Sequence, residues 1–329
     1  MKILVTGANG FLAGNIILEL LGRGYKVRGM IRKSARIIIE HKDLEAFYGN
    51  ITDPGDVMKA AESCHIIIHS AAATNQALPD YSAFANVNVG GTDNILKACL
   101  KHNVKKLIFV STANTLGYGS KKFPGNENLP MKYPFTKSHY ARSKAAAQVL
   151  LIRGLANSGT ALTIVNPTFM LGPNDQKISS NIIILRAYNK RLVFIPPGGK
   201  NFIHVKDAAT GVCYSIEHGT NGECYILANE NLTYREFYSL MMKVTGQNSY
   251  LVTIPRYFLL LIGLAGNILR FAGVRTSLSL TNMKILCTGN YYSPHKAVSV
   301  LKLTQTPTVK AIDDALSWFR SEDKLNQKN

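Results

Sequence analysis

From Met1 to Gly14 the chain changes its apolar period once, abruptly, and that change restricts the fold more than any other stretch. Ile3, Leu4 and Val5 form a short continuous apolar run suited to a buried strand. The segment Thr6-Gly7-Ala8-Asn9-Gly10 cannot continue it, and from Phe11 the spacing becomes helical through Ile16, Ile17, Leu20 and Leu21. Gly7 permits the tight turn, and Gly10 lets backbone approach a phosphate closely. Free N–H groups at the start of the following helix favour an anion there. Gly7, Asn9, Gly10, Phe11 and Leu12 therefore read as a cradle for a dinucleotide pyrophosphate. Ala13 stands where a third glycine usually allows close helix–strand packing, a departure of one methyl group.

Gly22 and Gly24 close that helix, and a second strand, Tyr25–Ile31, follows at once as in a βαβ crossover. Sites for NAD commonly place an acid at the end of this strand to bind the ribose hydroxyls, about 20 residues beyond the glycines. No acid occurs from Leu20 to Ile39; Arg32 and Lys33 end the strand, with Ser34 and Arg36 behind them. The pattern favours NADP(H) over NAD(H), with Arg32 as the main partner of the 2′-phosphate. The competing reading is a solvated basic turn.

Strands and helices alternate as far as Pro167. Strand candidates are Ile3–Val5, Tyr25–Ile31, Leu44–Tyr48, His65–His69, Lys106–Val110 and Leu162–Val165; helical stretches include Pro54–Glu62, Phe84–His102 and Ser138–Asn157. The fold class is α/β, a Rossmann-type doubly wound parallel sheet covered on both faces, with its ligand across the carboxyl ends of the strands. After Gly172 the regularity loosens, with strands near Phe202–Val205 and Glu223–Leu227 and a helix from about Asp207. We expect a dinucleotide-binding domain over 1–171, completed by 201–220. A smaller, interleaved substrate domain takes 172–200 and 221–320, and 321–329 form a polar tail.

At 329 residues, 46% of them hydrophobic and 18% charged, the chain has the composition of a soluble globular protein with a sizeable core. No signal peptide is visible, and five scattered cysteines have neither metal-ligand spacing nor an even number, so a reducing cytoplasm is expected. The net charge of +18 is spread without a dense basic tract, which argues against nucleic acid and suits a phosphate-bearing cofactor. Tyr257 to Gly266 is apolar and uncharged but too short to span a bilayer, which needs roughly 20 residues. It reads first as a buried or domain-capping helix, then as a wall of an apolar substrate pocket, and last as a peripheral membrane contact.

Tyr140-Ala-Arg-Ser-Lys144 opens an alanine-rich helix, so Tyr140 and Lys144 share one face. A free phenol has a pKa of about 10, and a neighbouring ammonium favours its phenolate. Tyr140 is thus a candidate general acid or base. With Ser111-Thr112 after a strand, these residues resemble the extended short-chain dehydrogenase/reductase superfamily, also called the NAD-dependent epimerase/dehydratase superfamily. Within it the chain is similar to the dihydroflavonol 4-reductase and 3β-hydroxysteroid dehydrogenase-like group. The motifs run in order: Thr6-Gly7-x-x-Gly10, Asn50-Ile51-Thr52-Asp53, His69-Ser-Ala-Ala72, Asn88-Val-Gly-Gly-Thr92, Val110-Ser-Thr112, Tyr140-x-x-x-Lys144, Asn166-Pro167 with Gly172-Pro173, and Phe202-Ile-His-Val-Lys-Asp207.

The resemblance implies that Thr112 holds the substrate oxygen, Tyr140 passes it a proton, and Lys144 binds the nicotinamide ribose while lowering the tyrosine pKa. Ser111 remains the alternative to Thr112. Asn50 and Ile51 flank the adenine, Ser70, Ala71 and Ala72 pack along the cofactor, and Pro167, Phe169 and Met170 approach the nicotinamide. Asp53 reads as a helix cap before Pro54, His204 and Asp207 as strand end and cap, His69 as structural, and Asn88 as a loop tie. The implied activity is reduction of a ketone or aldehyde on a small, largely apolar molecule, without a metal. Ala113-Asn114 replace the acid–base pair that follows the catalytic Thr in dehydratases, leaving a nucleotide-sugar epimerase with bound NAD as the alternative. Helices 84–102 and 138–157 are expected to pair two subunits if the chain dimerises.

Overall fold

The computed structural model describes residues 1–78 and 80–323. Its first half runs β1 (Lys2–Thr6), α1 (Phe11–Gly22), β2 (Lys26–Ile31), β3 (Leu44–Tyr48), α2 (Pro54–Ala61), β4 (Ile66–His69), α3 (Tyr81–Ala85), α4 (Gly91–Lys101), β5 (Lys106–Val110), α5 (His139–Leu155) and β6 (Ala161–Pro167). The second half holds β7 (Phe169–Leu171), α6 (Ile182–Leu185), β8 (Leu192–Ile195), β9 (Gly199–His204), α7 (Val205–His218), β10 (Cys224–Leu227), β11 (Glu230–Thr233), α8 (Tyr234–Thr245) and β12 (Tyr250–Thr253). Then come α9 (Arg256–Phe271), α10 (Leu280–Leu286), β13 (Gly289–Asn290), α11 (His295–Leu301) and α12 (Thr308–Ser321).

Seven parallel strands form the main sheet in the order β10-β6-β5-β4-β1-β2-β3. The direction of winding reverses between β1 and β4, which is where a doubly wound sheet opens its ligand crevice. Alternation along β1 explains its unbroken apolar run. Ile3 and Val5 enter the core beneath α1 and α7, whereas Leu4 enters the opposite core with residues of α2, α4 and α5. Both faces are buried, as a parallel sheet requires.

The smaller lobe is built on a second sheet, β11-β9-β13 with β7 beside β9, and on a core in which Phe202 stacks on Phe237 at 4.6 Å between ring centroids. The two lobes interleave more deeply than the sequence division suggests. Strand β10, assigned above to the substrate domain, is the seventh strand of the main sheet, and β9 leads from the small sheet into α7. Register is the reason: Cys224 to Leu227 supply backbone partners for the open edge of β6. The helix expected over 84–102 begins at Tyr81 and contains a π turn, Asn86–Gly90. The polar tail expected over 321–329 begins as the last residue of α12, and 324–329 lie outside the described residues.

One expectation is corrected outright. The apolar stretch from Tyr257 forms α9, yet only Leu259, Gly263 and Gly266 of that helix are buried. Its glycines let it lie close against α10 and the segment just before it, and most of its remaining side chains are exposed. Among the described residues, no helix is long and apolar enough to cross a membrane.

His204 is the strand end that the sequence suggests, but it, not Asp207, is also the helix cap, because β9 runs directly into α7 and leaves Asp207 within the first turn. The His204 side chain caps α7 by accepting from Lys206 N at 3.0 Å. The Asp207 carboxylate accepts from Thr304 Oγ1, Thr306 Oγ1 and Thr306 N at 2.6–2.9 Å, fastening the segment before α12 to α7. Asp207→Ala is expected to remove about 2–4 kcal/mol of unfolding free energy in urea titration, because it strands two hydroxyls and an N–H; a loss within experimental error would show that this tie holds nothing.

Candidate active site

The turns after β1 and β4 meet at the crevice. Gly7 has φ +69°, and a methyl group there would lie 2.9 Å from Ala71 Cα, so both backbone conformation and space demand glycine. Gly10 donates to Gly7 O at 2.8 Å and caps α1 without any side-chain hydrogen bond, leaving the first N–H groups of the helix directed into the crevice. Asn9 and Phe11 are half-buried at the rim, while Leu12 is buried in the core and can offer only its backbone. These residues fit a pyrophosphate: the cradle is formed by backbone, and a side chain at Gly7 would fill it.

Behind the cradle runs a chain of polar side chains. Thr6 Oγ1 accepts from Ser70 N and Ala71 N at 3.2 and 3.1 Å and lies 2.8 Å from His69 Nδ1. With its acceptor sites so used, Thr6 gives its own proton to Nδ1. His69 Nε2 then donates to Thr92 Oγ1 at 3.1 Å, and Thr92 donates to Asn88 O at 2.6 Å. This assigns a neutral imidazole. Burial, with the charge of Lys144 second, holds His69 down to about 3. From the π turn, Asn88 accepts from Ala73 N at 2.7 Å and donates to Ala73 O and to Ser143 Oγ, which donates to Tyr140 O at 2.8 Å. His69 and Asn88 are structural, as expected, and together they link the glycine turn after β1 to the helix of Tyr140.

Ser138 caps α5 by accepting from Ala141 N, which fixes the turn that presents Tyr140. Tyr140 stands beside Thr112. The hydroxyl of Ser111 is instead committed to Gln148 Oε1 at 3.1 Å. Lys144 is buried one turn along α5, with its Nζ 4.0 Å from the centroid of Phe109. The expectation that Lys144 lowers the phenol pKa is not met in the chain alone. Burial pushes Tyr140 up to about 12 against the opposing effect of Thr112, and burial brings Lys144 down to about 7. At neutral pH Tyr140 is therefore a protonated phenol held beside Thr112.

Asn166, at the end of β6, donates to Thr112 O and Thr115 Oγ1, while its own Oδ1 is buried without a hydrogen-bond partner. Pro167 is buried and Phe169 half-buried, its ring edge-on to Phe202 at 5.6 Å; Met170 packs on the core beneath α1. Lys200 Nζ stands 5.1 Å from the Phe169 centroid, and burial lowers it to about 8. Sequence reasoning missed Lys200 because a lysine in a short strand carries no pattern.

Arg32 and Lys33 are exposed after β2. Lys177, on the loop after β7, is lowered by burial and by the charge of Arg32. Its proximity to Arg32 was invisible in the sequence because the two are far apart along the chain. Asn50 is exposed; its Oδ1 accepts from Thr52 N at 3.2 Å and its N–H donates to Asp56. Ile51 packs on Gly91, where a methyl group would lie 3.0 Å from Ile51 Cγ1. Asp53 caps α2 ahead of Pro54, as expected.

Comparison with known proteins agrees with this layout. The model of the "NAD dependent epimerase/dehydratase family" matches residues 3–228. A protein of Synechocystis sp. provisionally named dihydroflavonol 4-reductase is 28% identical over 324 residues, covering 96% of this chain and 94% of that one. Sterol demethylase protein B of Methylococcus capsulatus is 28% identical over 332 residues, 99% of this chain and 100% of the relative. Among solved structures, that of gox2253 superposes with a TM-score of 0.84 at 28% identity, covering 98% of this chain and 99% of its own.

The buried neutral imidazole has a consequence for acid stability. The folded state holds His69 at about 3 whereas an unfolded chain protonates it at about 6.5, so stability present above 6.5 is lost as pH falls toward 3. His69→Gln is expected to flatten the unfolding free energy between pH 6 and 4 in urea titrations. An unchanged slope would remove His69 from the acid response.

Proposed function

This chain belongs to the NAD dependent epimerase/dehydratase family, and from that membership we propose an NADP(H)-dependent reductase that converts a ketone or aldehyde on a small, largely apolar molecule to an alcohol. The class, an NAD(P)-dependent oxidoreductase, follows from the family and its reductase relatives. The form of the cofactor, the substrate and the residue roles are our reading.

The observation that carries it is Tyr140 standing beside Thr112 at the strand ends, with burial opposing loss of the phenol proton. A carbonyl being reduced develops negative charge on oxygen, and that oxygen needs a donor to steady it and a proton to finish the alcohol. Thr112 supplies the first, Tyr140 the second. Lys144 and the N–H groups at the start of α1 would hold the ribose and pyrophosphate of the nicotinamide cofactor, with Ser70 to Ala72, Pro167, Phe169 and Met170 along its length. When bound, that cofactor supplies the hydride. Ala113 and Asn114 give no acid–base pair for dehydration.

Arg32 and Lys177, two cations whose charges oppose one another, favour an anion between them, which a 2′-phosphate provides. A dihydroflavonol and a sterol, the chemistries in the relatives' names, are both built on fused carbon-rich rings, and they guide the choice of substrate class.

Two measurements test this reading. Tyr140→Phe should lower kcat by about 100-fold or more while NADPH affinity, followed by fluorescence titration, stays unchanged; retained turnover would reject Tyr140 as proton donor. Arg32→Ala with Lys177→Ala should weaken NADPH by about 10- to 100-fold and leave NADH nearly unaffected. Equal losses, or NAD that copurifies and does not exchange, would move the assignment to a nucleotide-sugar epimerase.

A further inference from the structure

Helix α9 touches the rest of the chain through one narrow stripe. A methyl group added to Gly263 would lie 2.8 Å from Leu280 Cα, and one on Gly266 would lie 2.4 Å from Leu278 O, so α9 crosses its neighbour at backbone contact. On the same side Arg270 donates to Thr276 O and to Gln76 O, fastening the end of α9 to the loop that continues from Ala72. The opposite side is a row of Tyr257, Leu261, Leu264 and Ile268, spaced i, i+4, i+7 and i+11. Leu261 is 57% exposed, Ile268 71% and Phe271, at the end of the row, 97%. Between Arg256 and Arg275 the only charged residue is Arg270, which is turned inward. A surface helix ordinarily buries its apolar face and shows its polar one. This helix shows its large apolar side chains to the outside and buries only Leu259 and two glycines.

An apolar patch of this extent marks an interaction surface, and charge identifies what covers it. No Asp or Glu occurs between Glu236 and Asp313. Arg256 opens α9, Arg275 follows it, and Lys284 lies on α10. Beside the N-terminal end of α9 a groove of about 700 Å³ is lined by Lys121, Lys132, Arg256 and Lys284, of which Lys121 is paired with Glu236. A second copy of the chain would set this basic rim against its like. An anionic bilayer satisfies both parts, acyl chains against the row and headgroups against the rim. The helix, 16 residues or about 24 Å long, is too short to span a hydrocarbon core of about 30 Å, so it lies in the interface plane.

We propose that α9 is a membrane-docking helix that seats the protein on anionic lipid. Arg270 ties α9 to the loop leading from the cofactor crevice, and α10 packs on the turn Phe135–Lys137 just ahead of Tyr140. The docked face therefore flanks the cleft, and a sparingly soluble substrate reaches the cleft from the bilayer. That last step rests on the proposed function; the docking does not.

The test is vesicle flotation of the full chain, with phosphatidylcholine alone and with phosphatidylcholine mixed with phosphatidylglycerol. The chain should float with the mixed vesicles at low salt and progressively less as salt rises. Leu261→Asp with Ile268→Asp should cut partitioning about tenfold or more, with melting temperature and NADPH binding unchanged. Arg256→Glu with Lys284→Glu should remove the preference for anionic vesicles. Absence of flotation, or flotation that the aspartate pair leaves intact, overturns the proposal. So does a dimer in light scattering that the aspartate pair splits in a protein that does not float. Flotation without NADPH selectivity would leave docking in place and remove only the substrate reading.

Discussion

A single buried imidazole joins the parts of this molecule that must act together. His69 is neutral, enclosed between Thr6 and Thr92, and reaches through Asn88 and Ser143 to the backbone of Tyr140. In a low-dielectric interior such a chain is stable only when each donor meets an acceptor, because an unpaired member costs about 1–3 kcal/mol. The constraint runs both ways. It fixes the glycine turn after β1, and it fixes the rotation of α5 that carries Tyr140 and Lys144. The π turn at Asn86–Gly90 belongs to the same arrangement, since Asn88 within it ties the Ala73 backbone to Ser143.

Electrostatics sorts the chemistry of the cleft. Burial opposes charge on Tyr140 and on Lys144 alike, so the chain alone holds a protonated phenol beside an easily neutralised amine. Lys200 meets the same opposition next to Phe169. A protein with net charge +18 has thus placed lysines where their charge is costly, at the points where anionic or hydroxyl-rich ligand atoms are expected.

Much of the sheet was legible from sequence because its strands are buried on both faces and read as apolar runs, from Ile3–Val5 through Leu162–Val165. The glycine turn was legible because conformation and space both require Gly7. The catalytic candidates were legible from Tyr140 and Lys144 four apart, and the separate commitments of Ser111 and Thr112 needed coordinates. What stayed hidden depends on distant pairing. Nothing in Cys224–Leu227 states which sheet it completes, and Lys177 meets Arg32 only after the loop beyond β7 folds back. The exposure of α9 was misjudged for a similar reason. An apolar run predicts burial when some surface is available to receive it, and here two glycines make the close contact with α10 and the segment before it, while the larger apolar side chains face outward.

The interleaving of the lobes sets limits on how such an enzyme can be altered. The chain passes from the main sheet to the small one between Pro167 and Phe169, returns at His204–Val205, and leaves again after Leu227. No single cut separates a cofactor module from a substrate module, so a new specificity cannot be installed by exchanging a domain. The segments 172–198 and 254–288 contribute no strand to either of these two sheets, so a change there leaves the shared frame in place. A chain threaded in this way makes one frame of two lobes, and the inserts outside both sheets are the part of it that can be rewritten alone.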